Sequence, residues 1–319
     1  MNTQPAVRVS HLQKAYGANR VVDDLSFEIA EGEVVSLLGH NGAGKSTTIE
    51  ILEGYRTRDG GEATVLGEDP QTAGLAWRAK IGIVLQSGGM PPAATVRELV
   101  AQFAGYYPRH RDVDETIAAV GLAEHARQRV SALSGGQQRR VDVALGIIGR
   151  PRLLFLDEPT TGFDPVARHE FWNLISGLRD EGTAILLTTH YLDEAAHLSD
   201  RGVVIGKGRK LAEGPIRELG GPQARIPLVS WTDADGPHLE RTETPTALVA
   251  DRYRRGGELR DLEVRTPSLE DVYLGIVGAA AAPAGFGPAD PPSSAPGTAS
   301  VSASAPEPAS AASRTEASR

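Results

Sequence analysis

Short apolar runs separated by turns fill most of the first two hundred residues, and their spacing changes character three times. From residue 7 to residue 32 apolar and polar positions alternate: Val7, Val9 and Leu12, then Val21, Val22, Leu25, Phe27 and Ile29, with turns at Gly17-Ala18-Asn19 and Glu31-Gly32. A period of two bounded by turn residues predicts antiparallel strands with one buried face. The later runs do not alternate. Residues 34–38, 81–85, 153–156, 184–187 and 203–205 are almost continuously apolar, as strands of a parallel sheet covered on both faces are. Between Gln86 and Arg152 the pattern turns helical, over residues 96–106, 114–120 and 141–148, which predicts a helical subdomain inserted into the sheet domain. Beyond Gly220-Gly221-Pro222, the runs at 225–229 and 262–264 predict a small α+β appendage of about 55 residues. From Ala279 the chain is rich in Ala, Pro and Ser, with Phe286 as its large apolar residue; such a composition cannot bury enough surface to offset ordering, so disorder is expected there.

The run at 34–38 leads into Gly39-His40-Asn41-Gly42-Ala43-Gly44-Lys45-Ser46-Thr47, which fits G-x-x-x-x-G-K-[ST] at every fixed position. Glycines let the backbone wrap phosphate oxygens with its N–H groups pointing inward. Lys45 supplies a point charge for the β and γ phosphates, Ser46 a hydroxyl for Mg²⁺, and Thr47 a further donor. The helix expected from Lys45 to about Gly54 directs its positive end at the same anion. A Gly-rich turn with no ligand is the plain alternative, but the strand before and the amphipathic stretch after supply the context a phosphate loop requires.

Three of the later strands end in polar residues: Gln86, Asp157 followed by Glu158, and Thr188-Thr189-His190. In open α/β sheets ligands bind beyond the carboxyl ends of the strands, so these residues are expected in one crevice with the phosphate loop. Asp157, at the end of an apolar strand, suits Mg²⁺ held through water. Glu158, facing the opposite way, is placed to polarise an attacking water, and His190 to contact the γ-phosphate. Tyr16, just before the first turn, is a candidate for stacking on adenine, although a lone turn tyrosine packs on its own sheet as readily. In Leu133-Ser134-Gly135-Gly136-Gln137 the S-x-x-Q spacing makes Ser134 a helix cap. Two glycines directly after a cap cost helix stability, and close approach to an anion accounts for Gly135 and Gly136 better than capping alone.

Composition narrows the class. The 319 residues are 40% hydrophobic, enough for a substantial core. A net charge of −8 and the lack of long basic runs argue against a nucleic-acid surface, and zero cysteines exclude disulfides and thiolate chemistry. No apolar run reaches the roughly 18 residues of a membrane span, and Met1-Asn2-Thr3-Gln4-Pro5 has no leader character, so any span is expected in another chain.

The set in order, residues 39–47, Gln86, residues 133–137, residues 153–158, the turn Gly162-Phe163-Asp164-Pro165 and His190, resembles an ABC-type ATP-binding cassette over about residues 7–218. The resemblance implies an α/β fold of the P-loop NTPase type, with an antiparallel β subdomain, a helical subdomain at about 87–151 and a cassette spanning 6–219, followed by an accessory domain at 220–278. It implies an ATPase whose cassettes pair head to tail, so that ATP on one phosphate loop is completed by Ser134, Gly135, Gly136 and Gln137 of the other, with Asp164 at the seam. Gln86 would join Lys45, Glu158 and His190 in catalysis, and Ser46 and Asp157 in holding Mg²⁺. Phe163 stands where leucine is usual, which should alter the packing of that seam. Arg139-Arg140-Val141 and Thr266-Pro267-Ser268-Leu269-Glu270-Asp271-Val272-Tyr273-Leu274 resemble the drug-export subfamily of the daunorubicin-resistance type, in which the ATPase is a chain separate from its membrane permease. The expected partners are therefore a second cassette, most simply another copy, and an integral membrane permease, with the chain peripheral on the cytoplasmic face and residues 90–107 as the docking surface. The competing class is a cassette ATPase in DNA repair or on the ribosome. Repair types carry a long coiled coil between phosphate loop and signature, ribosomal types two cassettes, and neither pattern is present here.

Overall fold

The computed structural model describes residues 4–84 and 93–281, all within one compact unit. Gln86 and residues 90–92 of the expected docking surface lie outside the described residues, as does the chain from residue 282.

The alternating N-terminal pattern forms β1 (Val7–Tyr16) and β2 (Asn19–Ile29), paired antiparallel. The next strand, β3 (Val34–Leu38), is buried at all five positions and leads into helix α1 (Lys45–Leu52). α1 stops two residues short of Gly54, where φ is +74° and a Cβ would lie 2.5 Å from the Pro70 carbonyl oxygen, so only glycine turns the chain there. β4 (Gly60–Val65), a short Gly-rich edge strand invisible to the apolar pattern, completes a sheet of order β2-β1-β4. After the short helix α2 (Leu75–Arg78), β5 (Ile81–Val84) enters the main sheet.

The inserted region holds α3 (Val96–Ala104), α4 (Val113–Ala119) and α5 (Gly135–Ile147), with 3₁₀ turns at Ala123–His125 and Val130–Ala132, and no named strand among its described residues. The chain then alternates: β6 (Leu153–Asp157), α6 (Pro165–Asp180), β7 (Ala184–Thr188), α7 (Leu192–Leu198), β8 (Arg201–Gly206) and β9 (Arg209–Pro215). The six-stranded sheet has the order β5-β6-β7-β3-β8-β9, parallel except for the antiparallel edge strand β9.

The continuity of the apolar runs has a direct cause. In β6, Leu154 and Leu156 join a core with the helical subdomain and α6, while Leu153 and Phe155 join a core with the antiparallel sheet and α1. β7 divides the same way, Ile185 and Leu187 to one side, Ala184 and Leu186 to the other. Alternate side chains point to opposite faces, and both faces are dry.

The C-terminal appendage is a sheet of order β11-β10-β12, built from β10 (Leu228–Asp233), β11 (Gly236–Arg241) and β12 (Arg260–Arg265), with α8 (Pro245–Gly256) and α9 (Leu269–Ala281). Two expectations are corrected here. Residues 225–227 are not strand: Pro222–Arg225 is a 3₁₀ turn, and β10 begins only after Pro227, which lacks the N–H a ladder needs. Residues 279–281 continue α9 rather than beginning an unstructured tail, in keeping with the high helix propensity of alanine.

Candidate active site

The phosphate loop leaves β3 at the carboxyl edge of the sheet, between β7 and β8. Gly44 is held at φ +104° with its missing Cβ 2.6 Å from the Val21 carbonyl oxygen, and Gly39 packs against the Ile205 carbonyl oxygen, where a Cβ would come to 2.7 Å. Any side chain at Gly44 would suffer both strain and a backbone clash. Ala43 is buried, its N–H donating to the His40 carbonyl at 3.1 Å; His40 is exposed, and its Nδ1 lies 2.7 Å from the Asn41 carbonyl oxygen. Lys45 Nζ donates to the Gly39 and His40 carbonyl oxygens at 2.7 and 3.2 Å. Burial lowers the Lys45 ammonium from the ordinary lysine range, opposed by the charges of Glu158 and Asp157.

Beside the loop opens a cleft of about 580 Å³, lined by Asn41, Gly42, Gly44, Lys45, Ser46 and Thr47, with Val21, Glu158 and His190. Asp157 is the last residue of β6, in register with Thr188 of β7, whose hydroxyl donates to Asp157 Oδ1. Burial pushes the Asp157 carboxyl above its usual range. Glu158 follows at φ +49°, a left-handed conformation rare for a residue with a side chain. Its N–H donates to the Thr188 carbonyl oxygen at 3.0 Å, and Oε2 lies 3.5 Å from His190 Nδ1. The positive φ takes Glu158 out of the strand alternation and into the cleft with Lys45. Adjacent strands β3, β6 and β7 thus bring the loop, Asp157, Glu158 and His190 together. Tyr16 does not line this cleft; it is 42% exposed, with Lys14 Nζ and the Arg56 guanidinium 5.7 and 5.3 Å from its ring centre.

Residues 134–137 stand apart. The Ser134 side chain accepts the Gln137 N–H at 3.3 Å, and Gln137 Oε1 accepts the Ser134 N–H at 2.9 Å, the full capping box at the start of α5. They face a second cleft of about 900 Å³, shared with Gly162, Phe163 and Asp164, and none of the four lines the phosphate-loop cleft. Asp164 caps α6 through the Ala167 N–H at 2.9 Å, which holds its carboxyl below the usual range. Phe163 turns inward, 8% exposed and edge-on to Phe171 at 5.9 Å, so the larger ring is absorbed within the chain.

Sequence reasoning missed Arg139. Its guanidinium, 6% exposed, donates to the carbonyl oxygens of Asp157, Glu158 and Pro159 at 2.7, 3.2 and 3.1 Å, joining α5 to the strained turn that carries Glu158. The signal was present: Arg139, Val143 and Ile147 recur every four residues on one helical face, so the arginine occupies a core position.

A family model described as ABC transporter matches residues 22–161. The chain is 39% identical over 297 residues to the Nod factor export ATP-binding protein I of Rhizobium johnstonii, covering 86% of this chain and 95% of that one. It is 38% identical over 312 residues to the daunorubicin/doxorubicin resistance ATP-binding protein DrrA of Streptomyces peucetius, covering 87% and 94%. Among solved structures it resembles an ATP-binding subunit of an ABC transporter, with a TM-score of 0.65 at 23% identity, covering 85% of this chain and 99% of that one. It also resembles a dimeric ATP-binding cassette in a post-hydrolysis state bound to ADP and Pi, with a TM-score of 0.61 at 24% identity, covering 66% and 98%. At these identities the solved structures speak for the fold.

Proposed function

The chain belongs to the ATP-binding subunits of ABC transporters, and from that membership we propose that it drives export of a drug-like or hydrophobic compound through a separate membrane permease. The observation that carries the reading is the extent of the relatedness. The export and drug-resistance subunits match along almost their whole length, including the region beyond the cassette. No helix among the described residues is long and apolar enough to cross a membrane, so a separate permease is the natural complement. Phe103 and Tyr107 of the expected docking surface line a groove of about 370 Å³ with Glu53 and Arg78, which would offer that permease a seat. The longest described helix has 16 residues, which gives no support to the coiled coil of repair-type cassettes.

The residues divide the chemistry among themselves. Backbone N–H groups of the phosphate loop and the end of α1 cradle the phosphates, Lys45 neutralises charge on the β and γ groups, and Tyr16 stacks on the base. Asp157 is a half-buried carboxylate whose charged form a cation would favour, and Ser46 lines the cleft, a pair that would suit a magnesium ion; Gln86, outside the described residues, would join them. Bound there, the ion supplies charge neutralisation for the leaving group. Glu158 takes the proton of the attacking water, and His190, beside its carboxylate, holds the γ-phosphate in line. Residues 134–137 of a second copy close the site from the other side.

The test uses ATP-dependent uptake of fluorescent daunorubicin into inverted vesicles that contain this chain and a co-expressed permease, one with about six apolar spans. Uptake is expected with the wild type and lost with Glu158→Gln, whose hydrolysis falls by about 10²- to 10⁴-fold while it accumulates as an ATP-bound dimer. Equal uptake by both would overturn the assignment of Glu158, and no uptake by an actively hydrolysing wild type would overturn the drug-export reading.

A further inference from the structure

Behind the 134–137 segment lies a chain of hydrogen bonds that ends on a histidine. Because Gln137 Oε1 accepts the Ser134 N–H at 2.9 Å, the other end of that amide is its NH₂ group, which lies 2.9 Å from His125 Nε2. An amide NH₂ only donates, so Nε2 must be the ring nitrogen that carries a lone pair. The ring proton then sits on Nδ1, which is 2.9 Å from Gln128 Oε1, an acceptor. Gln128 is oriented in turn by donating its NH₂ to the Ala132 carbonyl oxygen at 3.0 Å. Every contact in the series is satisfied by one state of the imidazole, the neutral Nδ1–H tautomer.

Protonation breaks the series at one point. An imidazolium presents an Nε2–H to the Gln137 NH₂, donor against donor. If the amide flips to offer Oε1 to the ring, its NH₂ meets the Ser134 N–H instead. If it swings away, that N–H loses its acceptor. Either way half of the capping box is lost. We infer that His125 is a positioning residue for the 134–137 segment, acting through Gln137, and that it makes the segment's fit to a phosphate-bearing nucleotide on a second copy sensitive to pH.

Charged groups of both signs face the ring from the elements packed around it. His125 is half-buried, at the end of the 3₁₀ turn Ala123–His125. Arg139, Arg140 and Asp142 of α5 and Asp164 at the start of α6 share its cleft wall, two positive groups against two negative ones, and Glu124 and Arg127 flank it in sequence. Imidazole is the side chain whose charge ordinarily changes between about pH 5 and 8. Both ring nitrogens being held by amides, the consequence of that change falls on Gln137.

The inference rests on the reading that residues 134–137 complete a partner's ATP site, and its test separates the two. ATPase activity of the purified full-length chain is measured as KM and kcat between about pH 5.5 and 8. His125→Ala removes the acceptor and raises KM for ATP about fivefold at pH 8, the effect of one lost hydrogen bond, with a smaller change in kcat. His125→Gln, which offers an amide oxygen and does not titrate, recovers most of that loss. Its KM also rises less than that of the wild type on acidification; titration of ATP itself is common to both proteins and cancels. Ser134→Arg abolishes ATP-dependent dimerisation at every pH. If Ser134→Arg dimerises and hydrolyses normally, the shared-site reading fails. If it does not, but wild type and His125→Gln show the same acid dependence of KM, or His125→Gln is as impaired as His125→Ala, the role of His125 is overturned.

Discussion

Arg139 is a charged residue in a core position, and its three carbonyl contacts explain how Glu158 tolerates a left-handed backbone. A residue with a side chain at φ +49° costs of order 1 kcal/mol or more and persists only where its surroundings hold it. The guanidinium fork grips the turn from Asp157 to Pro159, and the N–H of Glu158 is taken by the Thr188 carbonyl oxygen. Asp142, 3.8 Å from the fork, has its carboxyl pushed up to about 6 by burial despite that neighbour. Arg139→Ala is therefore expected to lower stability by about 3 kcal/mol, through the loss of its hydrogen bonds to three carbonyls and an unbalanced Asp142, as read by urea unfolding. Arg139→Lys should recover only part, because a single ammonium cannot span the three oxygens. A result within about 0.5 kcal/mol of wild type would show that the turn holds itself. At this scale the placing of Lys45 in the loop and of Asp157, Glu158 and His190 at strand ends was legible from motif spacing, whereas the clamp behind them was not: a basic pair after a signature reads as surface until the helical face is resolved.

Among the elements, α1 carries the phosphate loop at one end and a buried acid at the other. Glu53, the C-cap residue, is 7% exposed, and its carboxyl is pushed up to about 7, first by burial and then by the charges of Asp157 and Glu50. A folded-state pKa above the ordinary 4.5 means the native chain holds this proton more tightly than the unfolded chain. Native stability with respect to Glu53 is thus greatest below about pH 4.5 and is lost as pH rises toward about 7. Glu53→Gln keeps the shape without the charge. It is expected to raise stability by on the order of 2 kcal/mol at pH 8, with the gain shrinking to nothing near pH 4.5; thermal unfolding across that range measures it, and a gain independent of pH would contradict the account. The strands β3, β6, β7 and β8 and the cap at Ser134 could be read from the chain because their signals are local. β4 and β9 could not, being edge strands without an apolar run; α6 carries a local signal too, in its cap Asp164, its first residue Pro165 and the apolar positions Phe171, Trp172, Ile175 and Leu178 at helical spacing.

At the scale of the whole molecule the decisive fact is that one chain has two clefts, the phosphate loop in one and residues 134–137 in the other. If each is half of a site shared between copies, a Lys45→Ala chain mixed with a Ser134→Arg chain leaves one complete site in every mixed dimer. Each variant alone should be nearly inactive, and the mixture should recover up to about a quarter of wild-type ATPase activity, the share of complete sites after random exchange of chains. Phosphate release measures it, and a mixture no more active than its components would argue against a shared site.

The amino-acid sequence by itself determined the fully buried sheet strands, the phosphate loop, the strand-end carboxylates and the helix cap, because each depends on period or spacing within a few residues. Only the tertiary structure decided that the strand order places Lys45, Glu158 and His190 around one cleft, that the cap faces a different one, and that Arg139 and His125 stand behind them. Those relations join residues far apart in the chain, and they exist only once the strands have been ordered and the helical subdomain packed against them.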